Sequence, residues 1–373
     1  MTLRLETAFA ELALRNGGDA EALAVFGRVL AADPPPDRPT ARRARRGRAW
    51  ALEKLGRPAE AIEACRALLA EPDTEFGSAD WALLAAALCR CYQDVGDQAM
   101  GVDFGERALA ALAEHRAAPL EEYVQLGSAL LGCYLARGDL ASARLLAERL
   151  LPLARSTGSR VALGTVEWNA SLIARQQGRL DEALVQAERA LALMAEADNA
   201  RHQGVLRCNL ALVLIARGEP AAALALLVVA YPIVRESATI REVVCCVTLL
   251  AEALVQLGNP IEALAWVEQG AGLLDGIGDQ LWQERAALAL AFGRAYLGAG
   301  EEARGEAELR RCAQLLGRAG GHRSVALLWR GLGDSWAERR QRGPAMAAYQ
   351  SAFTALGMPA IPAAVRGQRR AVS

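Results

Sequence analysis

Proton transfer, metal binding and phosphate capture each need particular side chains at particular spacings, and this sequence supplies few of them. Its three histidines, His115, His202 and His322, stand far apart and outside any HExxH-type spacing that would place two imidazoles on one helical face. Lys54 is the only lysine, and no glycine-rich stretch before it forms a phosphate loop. No serine occupies a G-x-S-x-G elbow. The eight cysteines (Cys65, Cys89, Cys91, Cys133, Cys208, Cys245, Cys246 and Cys312) lack paired CxxC spacing and read as small core residues. The expectation is a protein that is not an enzyme and carries neither metal nor cofactor.

Recognition is a different matter. Arg38, Arg42, Arg43, Arg45, Arg46 and Arg48 form the densest charge run in the chain. Guanidinium groups bind carboxylates and phosphates through paired hydrogen bonds, so Arg42, Arg43 and Arg46 are candidates for an anion patch. The alternative is a solvated face paired with nearby acids. Asn169 and Asn209 lie 40 residues apart, each nine residues before a glycine. A carboxamide offers donor and acceptor together, which suits it to the N–H and C=O of an extended peptide.

The elements that would hold these residues follow from composition and period. Apolar residues make up 53% of the chain and aromatics only 5%, a profile of Ala and Leu in tight helix contacts rather than of a sheet. Glycines recur at Gly17, Gly56, Gly96, Gly138, Gly178, Gly218, Gly258, Gly300 and Gly343, with gaps of 39 to 43 residues. A glycine at a helix C-terminus accepts the left-handed conformation that side chains resist, so each marks the turn between two antiparallel helices. Five residues beyond each stands a small residue: Ala22, Ala61, Gly101, Ala143, Ala183, Ala223, Ala263, Gly305 or Ala348. Small side chains there allow the second helix to approach the first closely. The period predicts nine helix pairs at about 3–34, 37–75, 78–117, 119–157, 159–197, 199–237, 239–276, 279–318 and 321–357.

These features resemble the tetratricopeptide repeat family. GRPAEAIEA from Gly56 and GRLDEALVQAERAL from Gly178 are similar to the start of that family's second helix. Trp329, Leu332, Gly333 and Trp336 fit W-x2-L-G-x2-Y with Trp for the final Tyr, and Ala345, Tyr349 and Ala352 continue the spacing. Gly331 and Gly333 therefore belong to the repeat rather than to a nucleotide loop. The repeats exceed the family's usual 34 residues by about six, as in its long-repeat branch. The resemblance implies an all-α, right-handed superhelical solenoid over 1–358, followed by a flexible tail at 359–373.

It also implies a concave groove lined by the first helices. In the family register Asn169 and Asn209 fall on that face, with Trp168, Leu172 and Arg175 beside them, then Leu212, and then Glu252 and Gln256 from the next repeat. The expected partner is a protein or peptide. The chain is further similar to the helical sensor region behind bacterial helix-turn-helix domains, where the array binds a signalling peptide or forms a homodimer. A third reading is an assembly platform.

Charge and hydropathy bound these readings. With 42 basic and 43 acidic residues the chain lacks the basic footprint that phosphate backbones select, so direct nucleic-acid binding is not expected. Glu6 and Glu11 interrupt what would have to be a secretory signal. The uncharged run Ala221–Val234 contains Pro232 and is too short to cross a bilayer. A cytoplasmic location with no membrane partner is expected. The near absence of lysine beside abundant arginine suggests a GC-rich bacterial source.

Overall fold

The computed structural model describes residues 2–15, 18–71, 74–115, 120–197, 200–275, 281–318 and 323–358. The tail at 359–373, Gly17 and His322 lie outside the described residues. Among the described residues there are eighteen α-helices and no strand. In chain order they are α1 (Thr2–Arg15), α2 (Asp19–Leu30), α3 (Arg38–Lys54), α4 (Pro58–Leu69), α5 (Ala79–Val95), α6 (Gln98–Glu114), α7 (Leu120–Arg137), α8 (Leu140–Thr157) and α9 (Arg160–Gln176). There follow α10 (Leu180–Glu196), α11 (Ala200–Ala216), α12 (Pro220–Ser237), α13 (Ile240–Gln256), α14 (Pro260–Leu273), α15 (Trp282–Gly298), α16 (Glu302–Leu316), α17 (Arg323–Glu338) and α18 (Arg342–Ala355).

Two compact units divide the chain, Met1–Ala253 and Leu254–Ser373. Within each, a first helix packs on the second of its pair, as α9 does on α10 and α17 on α18. First helices of successive repeats also touch, as α5, α7 and α9 do.

The turn between paired helices is nearly invariant, and its physics explains the period. Gly56, Gly96, Gly138, Gly178, Gly218, Gly258 and Gly300 all have φ between 69° and 83°. In each case the following residue donates its amide to a carbonyl five residues back, as Asp97 N–H does to Tyr92 O and Arg179 N–H to Ala174 O, both at 2.9 Å. That six-to-one closure satisfies a carbonyl the ending helix would leave bare. Asp97 and Asp139 then cap the next helix, accepting from the amides of Met100 and Ser142 at 3.1 Å.

The last repeat corrects the expected register. Gly343 lies inside α18, and the left-handed residue is Arg340, with φ 59°. Gln341 N–H closes the turn onto Trp336 O at 3.0 Å, as in every other repeat. The period from Gly300 is thus 40 rather than 43, and the small residue at the fifth place beyond the turn is Ala345 instead of Ala348. The Trp329 to Ala352 signature already carried this register. The glycine misled because a neighbouring glycine need not be the residue at positive φ.

Elsewhere the small residues do close the seam. Ala61, Ala143, Ala183, Ala223 and Ala263 are fully buried. At Gly101 a Cβ would sit 3.0 Å from Cys133 Sγ and 3.2 Å from Tyr92 Cβ, so even alanine would press on the neighbouring helix. Ser171 Oγ–H of α9 donates to Ala183 O of α10 at 2.8 Å, a polar stitch across the same contact. Around the seam the core is aliphatic, with Leu126, Leu130, Leu150, Met194 and Leu206 buried. Burying each such side chain contributes about 1.5–3 kcal/mol relative to exposure.

The helix α12 extends beyond the uncharged run Ala221–Val234 at both ends. Taken over its full 18 residues it is long and apolar enough, by length and composition, to cross a membrane. In the structure it is the second helix of an ordinary pair, packed on α11. Ala223, Leu227, Ala230, Tyr231 and Val234 face inward, while Val228 and Val229 are exposed. Seven of the eight cysteines are buried, and Cys245 is exposed.

Candidate functional site

The candidate site lies in the first unit, on the helices α7, α9 and α11 and the part of α13 up to Ala253. Trp168 and Asn169 are consecutive on α9, so they point about 100° apart around the helix axis. Asn169 Nδ2 donates to Ser128 O on α7 at 3.5 Å, reaching across to the preceding repeat. Asn209 Nδ2 donates to Val205 O, one turn back on its own helix, at 3.0 Å. The two carboxamides therefore hold equivalent places in adjacent repeats with different partners.

Trp168 is partly buried against Ala190, Met194 and Leu206. Its ring meets His202 of α11 edge-on, with centroids 6.1 Å apart. Burial, and secondarily the Arg201 charge, pushes the His202 imidazole down to about 4, so it is neutral near pH 7. Trp168 Nε1 and Ser128 Oγ are buried without a hydrogen-bond partner in the structure. Both stand ten residues before their turn glycines, Gly178 and Gly138, and so share one repeat position. Such orphaned groups are uncommon in folded proteins and cost free energy until something pairs with them.

Leu172 packs partly buried against the neighbouring aliphatic core. Arg175, Leu212 and Glu252 are half-buried. Gln256 is exposed and belongs to the second unit.

The arginine run of α3 has its charges met locally. Arg43 makes two bonds to the Glu11 carboxylate, at 3.0 and 2.5 Å. Arg46 and Arg42 pair with Asp80, the latter at 3.7 Å, and Arg42 also reaches Thr74 Oγ1 at 3.5 Å. Arg45 pairs with Glu71 at 3.2 Å. These helix-to-helix pairs knit α1, α3 and α5 together.

Sequence reasoning missed a chain of charges on the inner side of the first helices. Arg90 of α5 makes bonds of 2.5 and 3.2 Å to Glu53 of α3. Arg201 of α11 pairs with Glu242 of α13 at 3.1 Å. Arg241 Nη1 approaches Asp94 Oδ1 at 3.4 Å, joining α13 to α5 across 147 residues of sequence. The family register places Glu53, Arg90 and Asp94 near the C-terminal ends of first helices, but no spacing signals a pairing over that distance. Among the described residues no group of three or more His, Cys, Asp or Glu side chains could hold a metal ion.

The tetratricopeptide repeat family model matches residues 163–236, which contain Trp168, Asn169, Leu172, Arg175, Asn209 and Leu212. No curated protein sequence matches the chain. Among solved structures, the chain is similar to a Rap protein complexed with competence and sporulation factor, at 13% identity over 95% of this chain and 97% of that one, with a TM-score of 0.64. It is also similar to the Rap conjugation gene regulator of plasmid pLS20 in complex with the Phr* peptide (12% identity, 95% and 94% covered, TM-score 0.60). A third is the apo quorum sensor NprR from B. thuringiensis (13% identity, 94% and 97% covered, TM-score 0.59). At such identities the likeness concerns the fold, which by itself names no ligand.

Proposed function

We propose that this chain, a tetratricopeptide-type solenoid, is a cytoplasmic peptide sensor of bacterial type that binds a short extended peptide along α7, α9 and α11 and acts through a partner protein rather than by catalysis. The observation that carries this reading is the pair of orphaned buried groups, Ser128 Oγ and Trp168 Nε1, at one repeat position in adjacent repeats, with the Asn169 carboxamide bonded to the Ser128 carbonyl. One can donate and accept, the other donates, and the carboxamide adds both, which is the mixture a peptide main chain presents in return. Leu172 and Leu212 supply aliphatic surface, and Arg175 and Glu252 supply charge of both signs, so a peptide with a charged end fits better than an uncharged one. Two structures of similar fold hold a peptide or a signalling factor, which supports the ligand class. The buried free thiols suit a reducing compartment.

Selection of a random peptide library on the full chain, followed by hydrogen exchange with the strongest binder, tests the reading. Slowed exchange centred on α7, α9 and α11 is expected. Slowed exchange confined to α3, around Arg42, Arg43 and Arg46, would move the site to the arginine run.

A second reading, a homodimer or assembly platform, is favoured by the outward Val228 and Val229 of α12. It expects concentration-dependent mass in light scattering that is abolished by charging both valines.

A further inference from the structure

We infer that the Asp94–Arg241 contact is a clasp: it joins the third and seventh repeats of the first unit, and its opening and closing sets access to the face that α5, α7, α9, α11 and α13 enclose. A solenoid repeat ordinarily touches only its neighbours. Here the last turn of α5 meets the first turn of α13 at 3.4 Å, with three helix pairs between them in sequence. This one contact ties the two ends of the row of first helices from α5 to α13, and parting it would widen the approach to the face between them. The access clause rests on the peptide-binding reading above; the clasp itself does not.

Both sides of the contact are held in position. The start of α13 is fixed by a capping box: Thr239 N–H donates to Glu242 Oε2 at 2.7 Å, and Glu242 N–H donates to Thr239 Oγ1 at 3.3 Å. Glu242 also receives Arg201 of α11. On the other side Arg90, one turn before Asp94, is anchored to Glu53 of α3. The contact itself is only half-buried, at 36% and 35% side-chain exposure, so it is a weak tie between two stiff arms.

Its balance is set by desolvation. Burial pushes the Asp94 carboxyl up to about 6, with Arg241 pulling down and Glu53 pushing up. The charges facing Asp94 are Arg90 on its own helix, Glu53 of α3, and Arg241 and Glu242 of α13. In an open state the carboxyl would return toward its ordinary value near 3.8. The closed state thus holds the proton more tightly, and closure becomes more favourable as pH falls through 6. His202, which feels several of the same charges, titrates near 4, below that range.

The test needs no ligand, so its failure and that of the peptide reading are separable. Spin labels on the exposed native Cys245 and on a V95C substitution beside Asp94 report the gap in the full chain, the other seven cysteines being buried. At pH 7.5 one narrow, short distance is expected. R241E, with R241Q as the milder variant, should add a longer and broader population, and the exchanged pair D94R/R241D should remove it. Lowering the pH from 7.5 to 5 should shrink the open population of R241Q by about threefold or more, while D94N/R241Q stays flat. An unchanged distance distribution in folded R241E and R241Q, or an exchanged pair that fails to restore it, would overturn the clasp.

Discussion

The seam between paired helices and the inner face of the first helices are built from the same segments by opposite rules. At the seam, Ala183 and Ala223 are fully buried, and side chains bond there to backbone carbonyls, as Ser171 does to Ala183 and Cys89 to Gly101. On the inner face, Trp168, Asn169, Arg175 and Asn209 are half-buried, and the two asparagines bond in a different way in each repeat. The seam tolerates one solution because close packing punishes any added methyl. The inner face varies freely, and function can reside where packing does not dictate the residue.

Substitutions should separate the two regions by the size of their effects. The largest is expected from L206A, which empties a fully buried site beside Met194 and Trp168 and should lower unfolding free energy by about 2–5 kcal/mol in urea titration. Overfilling the seam with A183L should cost about 1–3 kcal/mol by the same measurement. A change below about 0.5 kcal/mol would mean that the joint is loose and that the contrast with the inner face is smaller than drawn.

A smaller effect, of opposite sign, tests the corrected turn. Arg340 adopts φ 59°, which side chains resist, so R340G should stabilise the second unit by about 0.5–1 kcal/mol in thermal melts. G343A, inside α18 with open space around it, should be neutral or mildly stabilising. Were G343A the more damaging of the two, the turn would lie where the glycine spacing put it. The inner face should respond least in stability: N169A removes one long hydrogen bond and N209A one bond within its own helix, so the double variant should lose less than about 1.5 kcal/mol.

The seam was legible because its chemistry repeats. Positive φ calls for glycine, and the fifth residue beyond must be small, so Gly178 with Ala183 and Gly218 with Ala223 announce themselves at any period. The exception is instructive: arginine in the left-handed region leaves no mark in a sequence, so the spacing points to Gly343 although Arg340 makes the turn. The inner face was legible only through the family register, which placed Asn169 and Asn209. That register does not show that Asn169 reaches back to Ser128 while Asn209 turns to Val205. Nor could it pair Asp94 with Arg241, since that contact depends on the accumulated rotation of four repeats and not on any local spacing. The acids that meet Arg42, Arg43 and Arg46 come from α1 and α5, so they too became visible only once the helices were packed.

The central claim is that the inner face of α9 and α11 reads a peptide. It is tested most directly by calorimetric titration of the library-selected peptide into the parent chain, N169A/N209A and R42E/R43E/R46E, with each variant's helicity checked by circular dichroism. The account predicts that the asparagine pair weakens binding by about 1–3 kcal/mol, or roughly 5- to 150-fold, while the arginine variant binds within about twofold of the parent. Parent-like affinity in a folded N169A/N209A, with binding lost in the arginine variant, would contradict it.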